Sequence, residues 1–127
     1  MNMYFLLAGI LTAIIGIVHA YWGEKNLAPE LNASDMSSFT KIAWYIPYHQ
    51  ITWVLLVSGV SLMGIGVFDN FEGAKNIGIL IEAVTVGNFA VFLMIGASKD
   101  TSIITKSVPQ LILFTALIIL LTLGVLS

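Results

Sequence analysis

The chain of 127 residues has no cysteine and no arginine. The first absence removes disulfides, thiolate metal sites and cysteine nucleophiles together, and leaves the redox compartment open. Charge of either sign is scarce: charged residues make up 9% of the chain, against roughly 25% in a globular domain. Five lysines face seven acids, for a net charge of −2, so the basic surface that a nucleic-acid partner requires is missing. There is no P-loop, no Gly-x-Ser-x-Gly and no His-Glu-x-x-His. Nothing in the sequence indicates catalysis by this chain on its own. What it does have is apolar surface: 58% of residues are hydrophobic and the mean hydropathy is +0.97. Such a chain cannot clothe itself in water, and the solvent it expects is a lipid bilayer.

The few charges fall in clusters that leave long stretches between them. Met1 to Gly23, Ile42 to Phe68 and Ser107 to Ser127 carry none, and Asn76 to Ser98 carries only Glu82. Crossing the hydrocarbon layer takes about 20 apolar residues in a helix. A membrane β-barrel would instead alternate apolar and polar residues in ~10-residue segments, and runs such as Leu111 to Leu126 are apolar all round. The pattern predicts an all-α integral membrane bundle of four antiparallel transmembrane helices in one domain, with spans near 3–22, 43–68, 76–98 and 107–126. Asp69 to Lys75 and Lys99 to Lys106 read as tight links. The longer link, Glu24 to Lys41, mixes Asn, Ser, Asp and Pro29 and reads as irregular or partly helical.

Lysine placement gives an orientation. Lys25, Lys41, Lys99 and Lys106 lie in the first and third links, and only Lys75 lies on the opposite side. By the positive-inside rule, links 24–41 and 99–106 face the cytoplasm of a multi-pass protein in the cell membrane, with both termini outside. Asn32-Ala33-Ser34 fits a glycosylation acceptor, but on this topology it faces the wrong side. Val18-His19-Ala20 resembles a signal-peptide cleavage site. The stretch before it has no positive charge, so the first span is expected to be a retained helix.

Close helix packing in lipid depends on small residues. Gly9, Ala13, Gly16, Ala20 and Gly23 recur at spacings of 4, 3, 4 and 3, which keeps one narrow face of the first helix against a neighbour. That neighbour is either another helix of the bundle or another subunit. Shorter versions are Ser58, Ser61, Gly64 and Ala83, Gly87, Ala90. Pro47 suits the first turn of a helix, so the second helix proper is expected to start there, with Lys41 to Ile46 along the interface.

Two sets of polar residues stand out. His19 ends the first span and His49 opens the second, at the same membrane face. Tyr21, Trp22, Trp44, Tyr45, Tyr48 and Trp53 surround them, and Glu24 is close in sequence. These residues read as an aromatic belt at headgroup level, as a site where His19 and His49 hold copper or haem iron, or as a polar node against a partner. Only Glu24 and the tyrosines are at hand to complete a metal site. Glu82 is the other oddity. An ionisable group inside a span is a functional candidate, for proton relay or cation binding; the bland reading is a neutral carboxyl hydrogen-bonded within the bundle. Gly78, Thr85 and Asn88 would give its helix an inward polar stripe. Glu82 and the histidines belong to opposite leaflets.

His19-x-x-x-Gly23-Glu24, with the Trp44 to His49 segment opening the second span, resembles a group of small four-span prokaryotic integral membrane proteins. The similarity covers about the first 70 residues and implies an architecture, not an activity. It departs from the pattern where Tyr45-Ile46-Pro47-Tyr48 separates Trp44 from His49. The small multidrug resistance transporters are similar only in having four spans, because their coupling carboxylate lies in the first helix and this first helix has no acid.

Three functions therefore stay open. One is an accessory or structural subunit of a larger membrane complex, for example a respiratory or copper-dependent oxidase or monooxygenase assembly, with other membrane subunits or further copies of itself as partners. Another is a haem- or metal-binding redox protein using His19 and His49. The last is a proton- or ion-coupled transporter using Glu82.

Overall fold

The computed structural model describes residues 1–68, 70 and 73–127. In chain order the helices are α1 (Met3–Trp22), α2 (Ala28–Ala33), α3 (Ser38–Val67), α4 (Ala74–Lys99), α5 (Thr101–Lys106) and α6 (Val108–Leu126). A π-helical turn, Gly23–Leu27, joins α1 to α2 without a break. No strand occurs among the described residues. The fold is an all-α bundle in which four helical segments are long and apolar enough to cross a membrane: Met3–Ala33, Ser38–Val67, Ala74–Lys99 and Val108–Leu126.

α1 and α3 pack most closely, and glycine is the reason. A Cβ on Gly9 would lie 2.5 Å from the Met63 backbone nitrogen, one on Gly59 2.8 Å from that of Ala13, and one on Gly66 2.6 Å from that of Leu6. With only hydrogen on those Cα atoms, the backbones themselves come into van der Waals contact. Further along, Gly16 meets Leu55 and Leu56, and Gly23 meets the Tyr48 ring. Each step forward on α1 is matched by an equal step back on α3, the signature of an antiparallel pair in register. Gly64 has open space around it, so the contact face of α3 runs through Gly59 and Gly66 rather than Ser58, Ser61 and Gly64.

The terminal end of the bundle is closed. The Phe5 ring fills the space that side chains at Gly78 and Gly124 would take. It anchors a core with Ala8, Leu62, Ile65, Ala74, Leu117 and Leu121. Asn2 caps α1 through its side-chain oxygen, and its Nδ2 donates to the Gly124 carbonyl and the Ser127 hydroxyl, each at 2.9 Å. Its backbone N–H donates to the Gly66 carbonyl at 2.8 Å. One residue thus ties three helices together and holds the two chain ends side by side.

Pro47 does not start a helix. α3 runs unbroken from Ser38 to Val67, about 45 Å at 1.5 Å per residue. Its start is set by Ser37, whose hydroxyl accepts from the Thr40 N–H at 3.2 Å, a regular N-cap. Pro47 removes one backbone donor in the interior, which membrane helices tolerate. The consequence is functional: Tyr45, on the N-terminal side of the proline, is one helical turn from His49 on the same face. In the links, α5 is capped by Asp100, whose Oδ1 accepts from the Ser102 N–H at 2.9 Å. Lys41 Nζ donates to the Asn32 carbonyl at 2.9 Å, closing the first link. Of the expected tight link Asp69 to Lys75, residues Asp69, Phe71 and Glu72 lie outside the described residues; Gly73 ends it with φ of 110°, a left-handed conformation that favours glycine.

Candidate functional site

At the end of the bundle away from the termini, polar side chains from α1, the π-turn and α3 meet. Gly23 lets this happen, because a Cβ there would sit 2.1 Å from the Tyr48 ring. The ring instead lies flat on the His19 imidazole, with centroids 4.0 Å apart and planes 15° apart. The Tyr48 hydroxyl donates to the His19 carbonyl at 2.7 Å, a second bond to an acceptor that also takes the Gly23 N–H.

His19 Nδ1 lies 2.9 Å from the hydroxyl of Thr52, which is buried. That hydroxyl has one proton. Directed at the Tyr48 carbonyl, 3.4 Å away, it leaves the oxygen accepting from His19 Nδ1–H, and the free lone pair of the ring is then on Nε2.

Glu24 is the first residue after Gly23 in the π-turn. Such turns rotate the following side chains off the α-helical spacing and recur at functional sites. Here the turn brings the Glu24 carboxylate to α3, where Oε1 accepts from the Tyr45 hydroxyl and lies 3.0 Å from His49 Nε2. The His49 ring also meets Tyr45 and Tyr48 edge-on, with centroids 4.5 Å and 5.6 Å apart. Tyr48 therefore touches both imidazoles. The nitrogen brought within 3.0 Å of a second ligand-type atom is His49 Nε2, and that atom belongs to Glu24 rather than to His19. Among the described residues, no group of three or more His, Cys, Asp or Glu gathers closely enough to hold a metal ion.

The cluster borders a lateral groove of about 800 Å³, lined by Glu24, Tyr45, Ile46, His49, Gln50, Trp53 and Val54. One end is polar and the rest apolar. The expected aromatic set divides here: Tyr45 and Tyr48 join the network, while Tyr21, Trp22, Trp44 and Trp53 are exposed, as an interfacial belt requires. Of the network members, Thr52 escaped sequence reading. The signal was its i+4 spacing from Tyr48 on a face that also carries Gly59.

Glu82 and Asn88 lie on α4. Glu82 accepts from the Thr122 hydroxyl on α6 at 2.5 Å and is half-buried. It belongs to the half of the bundle near the termini, away from the histidines. The inward stripe needs correction: Gly78 and Thr85 are buried, but Asn88 is exposed. At 100° per residue Asn88 stands about 80° round the helix from Gly78, and the covered arc of α4 is narrower than that. The Asn88 side chain makes no hydrogen bond among the described residues. It lies fourteen residues beyond Ala74 and eleven before Lys99, at the middle of the span. Gly87 beside it has nothing within 4 Å of a built Cβ.

Compared with protein-family models, curated proteins and solved structures, the chain finds no match in any of the three.

Proposed function

We propose that the protein is a small accessory or structural subunit of a larger membrane complex, presenting α4 to its neighbour. The observation that carries this reading is Asn88. A carboxamide at mid-span has no water to bond, and lipid offers neither donor nor acceptor. An exposed amide on the outside of the bundle has the chemistry of an interhelical hydrogen bond. The neighbour is another subunit, of a respiratory or copper-dependent oxidase or monooxygenase for example, or a second copy of the chain.

Extraction in a mild detergent followed by native mass spectrometry tests the proposal. A defined complex is expected from the wild type, and Asn88→Val releases the chain as a monomer while its helical circular dichroism stays unchanged. A wild-type chain that runs alone, or a complex indifferent to Asn88→Val, contradicts it. The lysine distribution supports an orientation with links 24–41 and 99–106 in the cytoplasm and both termini outside. A reporter fused to the C-terminus that proves cytoplasmic overturns the orientation.

A second reading, a haem- or metal-binding redox protein through His19 and His49, draws support from the convergence of both imidazoles on Tyr48 at one membrane face. A haem bound there gives a Soret band that vanishes in both His19→Ala and His49→Ala; a purified chain without that band contradicts the haem version.

A further inference from the structure

Glu24 and His49 approach each other in a way that a hydrogen bond does not explain. His49 Nε2 has no accessible surface and no hydrogen-bond partner, although the side chain as a whole is 32% exposed. Glu24 Oε1 lies only 3.0 Å away, but off the direction in which a proton on Nε2 would point. The pair is at ion-pair distance but is not aligned as donor to acceptor. Two ligands on adjacent corners of one metal ion, each at about 2.0–2.1 Å, come to rest about 3 Å apart.

We propose that His49 Nε2 and the Glu24 carboxylate are the protein ligands of an open site for a divalent first-row transition ion. Imidazole with carboxylate suits Cu²⁺ and Zn²⁺; Mg²⁺ prefers an all-oxygen shell. The Tyr45 hydroxyl donates to the same carboxylate, the outer-shell bond that orients a metal-binding carboxylate. The π-turn fixes Glu24 in place, and Gly23 and Tyr48 hold that turn against α3. Glu24 and His49 both line the groove beside Gln50, Trp53 and Val54; an ion reaches the enclosed Nε2 from there by a small shift of the exposed Glu24 side chain, and water or a small ligand fills the remaining positions. His19 is not part of this site, since the atom that lies 3.0 Å from His49 Nε2 belongs to Glu24. The site differs in this from a two-imidazole centre, and it stands whether or not α4 binds a partner.

The test uses the intact chain in detergent, with an affinity tag free of histidine. Cu²⁺, Zn²⁺ and Mg²⁺ are titrated separately, and binding is read from quenching of tryptophan fluorescence by Cu²⁺, from calorimetry, and from the nitrogen hyperfine pattern of bound Cu²⁺. One Cu²⁺ per chain is expected, with a single imidazole nitrogen, tighter than Zn²⁺ and with no response to Mg²⁺. His49→Ala and Glu24→Gln each weaken binding at least tenfold, Tyr45→Phe weakens it about tenfold, and His19→Ala leaves it unchanged. Should His49→Ala lose its helical circular dichroism, the isosteric Glu24→Gln decides. Absence of stoichiometric binding, or wild-type affinity in Glu24→Gln, overturns the proposal. A two-nitrogen pattern lost in His19→Ala overturns it in favour of the two-imidazole centre.

Discussion

α1 and α4 are almost equally apolar, with mean hydropathies of 2.1 and 2.0 over their most apolar stretches, yet 28% of the first stretch is buried and only 11% of the second. Apolarity therefore does not decide which helix is covered. Lipid tails are as apolar as leucine, and a helix gains little by leaving them. What separates the two is register. Gly9 and Ala13 of α1 fall opposite Gly59 and the backbone of Met63 on α3, and Leu6 falls opposite Gly66, whereas Ala83, Gly87 and Ala90 on α4 are exposed. A small-residue stripe matched by its partner's stripe locks; an unmatched one stays open for something outside the chain.

The comparison breaks most readily at the glycines. Gly9→Leu drives a branched side chain into the Met63 backbone and is expected to cost about 3 kcal/mol. Gly87→Leu meets nothing and is expected to change the isolated chain by less than ~0.5 kcal/mol. Thermal melts of the two variants followed by circular dichroism check the contrast, and equal losses would refute it. At the closed terminal end, Phe5→Ala empties the space between Gly78 and Gly124. In lipid the transfer part of the loss shrinks and the packing part remains, for an expected cost of ~2 kcal/mol in the same melts. At the opposite end, Thr52→Val removes the hydroxyl beside His19 Nδ1 without changing shape, at about 1 kcal/mol. Thr52→Ser restores most of it.

The smallest expected effect lies outside the membrane. The Asp100 carboxyl accepts hydrogen bonds from Ser102, which hold its pKa below the ordinary carboxylate value. A depressed carboxylate stabilises the fold above its unfolded pKa, and that contribution fades as pH falls through the lower, folded value. The start of α5 therefore loosens only in strong acid, and Asp100→Asn removes the dependence. Hydrogen exchange at the Ser102 amide across an acid titration measures it.

The fold was legible in the sequence because lipid sets simple terms: length without charge is enough to predict a crossing helix, and the glycine spacing of the first span is visible by counting. Other features were hidden by their dependence on distant residues. Pro47 reads locally as a helix start, but Ser37 and Thr40 make a better one, and the proline is carried through. Asn88 shares a helix with inward-facing Thr85, and its outward aim depends on how little of α4 the rest of the chain covers. His19 and His49 were visible as a pair. Glu24, near them in the chain, becomes the partner of His49 only through the π-turn, which no local residue pattern announces. Asn2, which joins three helices, looks like an ordinary polar residue near the start of a chain.

The central claim is that a protein, rather than lipid, covers the exposed arc of α4 that runs from Asn88 round through Gly87 to Ala83. Because the chain has no cysteine, a single photoreactive probe can be attached at Gly87→Cys in native membranes and compared with one at Val60→Cys, an exposed position on α3. The account predicts a discrete protein adduct from position 87 and lipid adducts from position 60. Lipid adducts alone from both positions would contradict it.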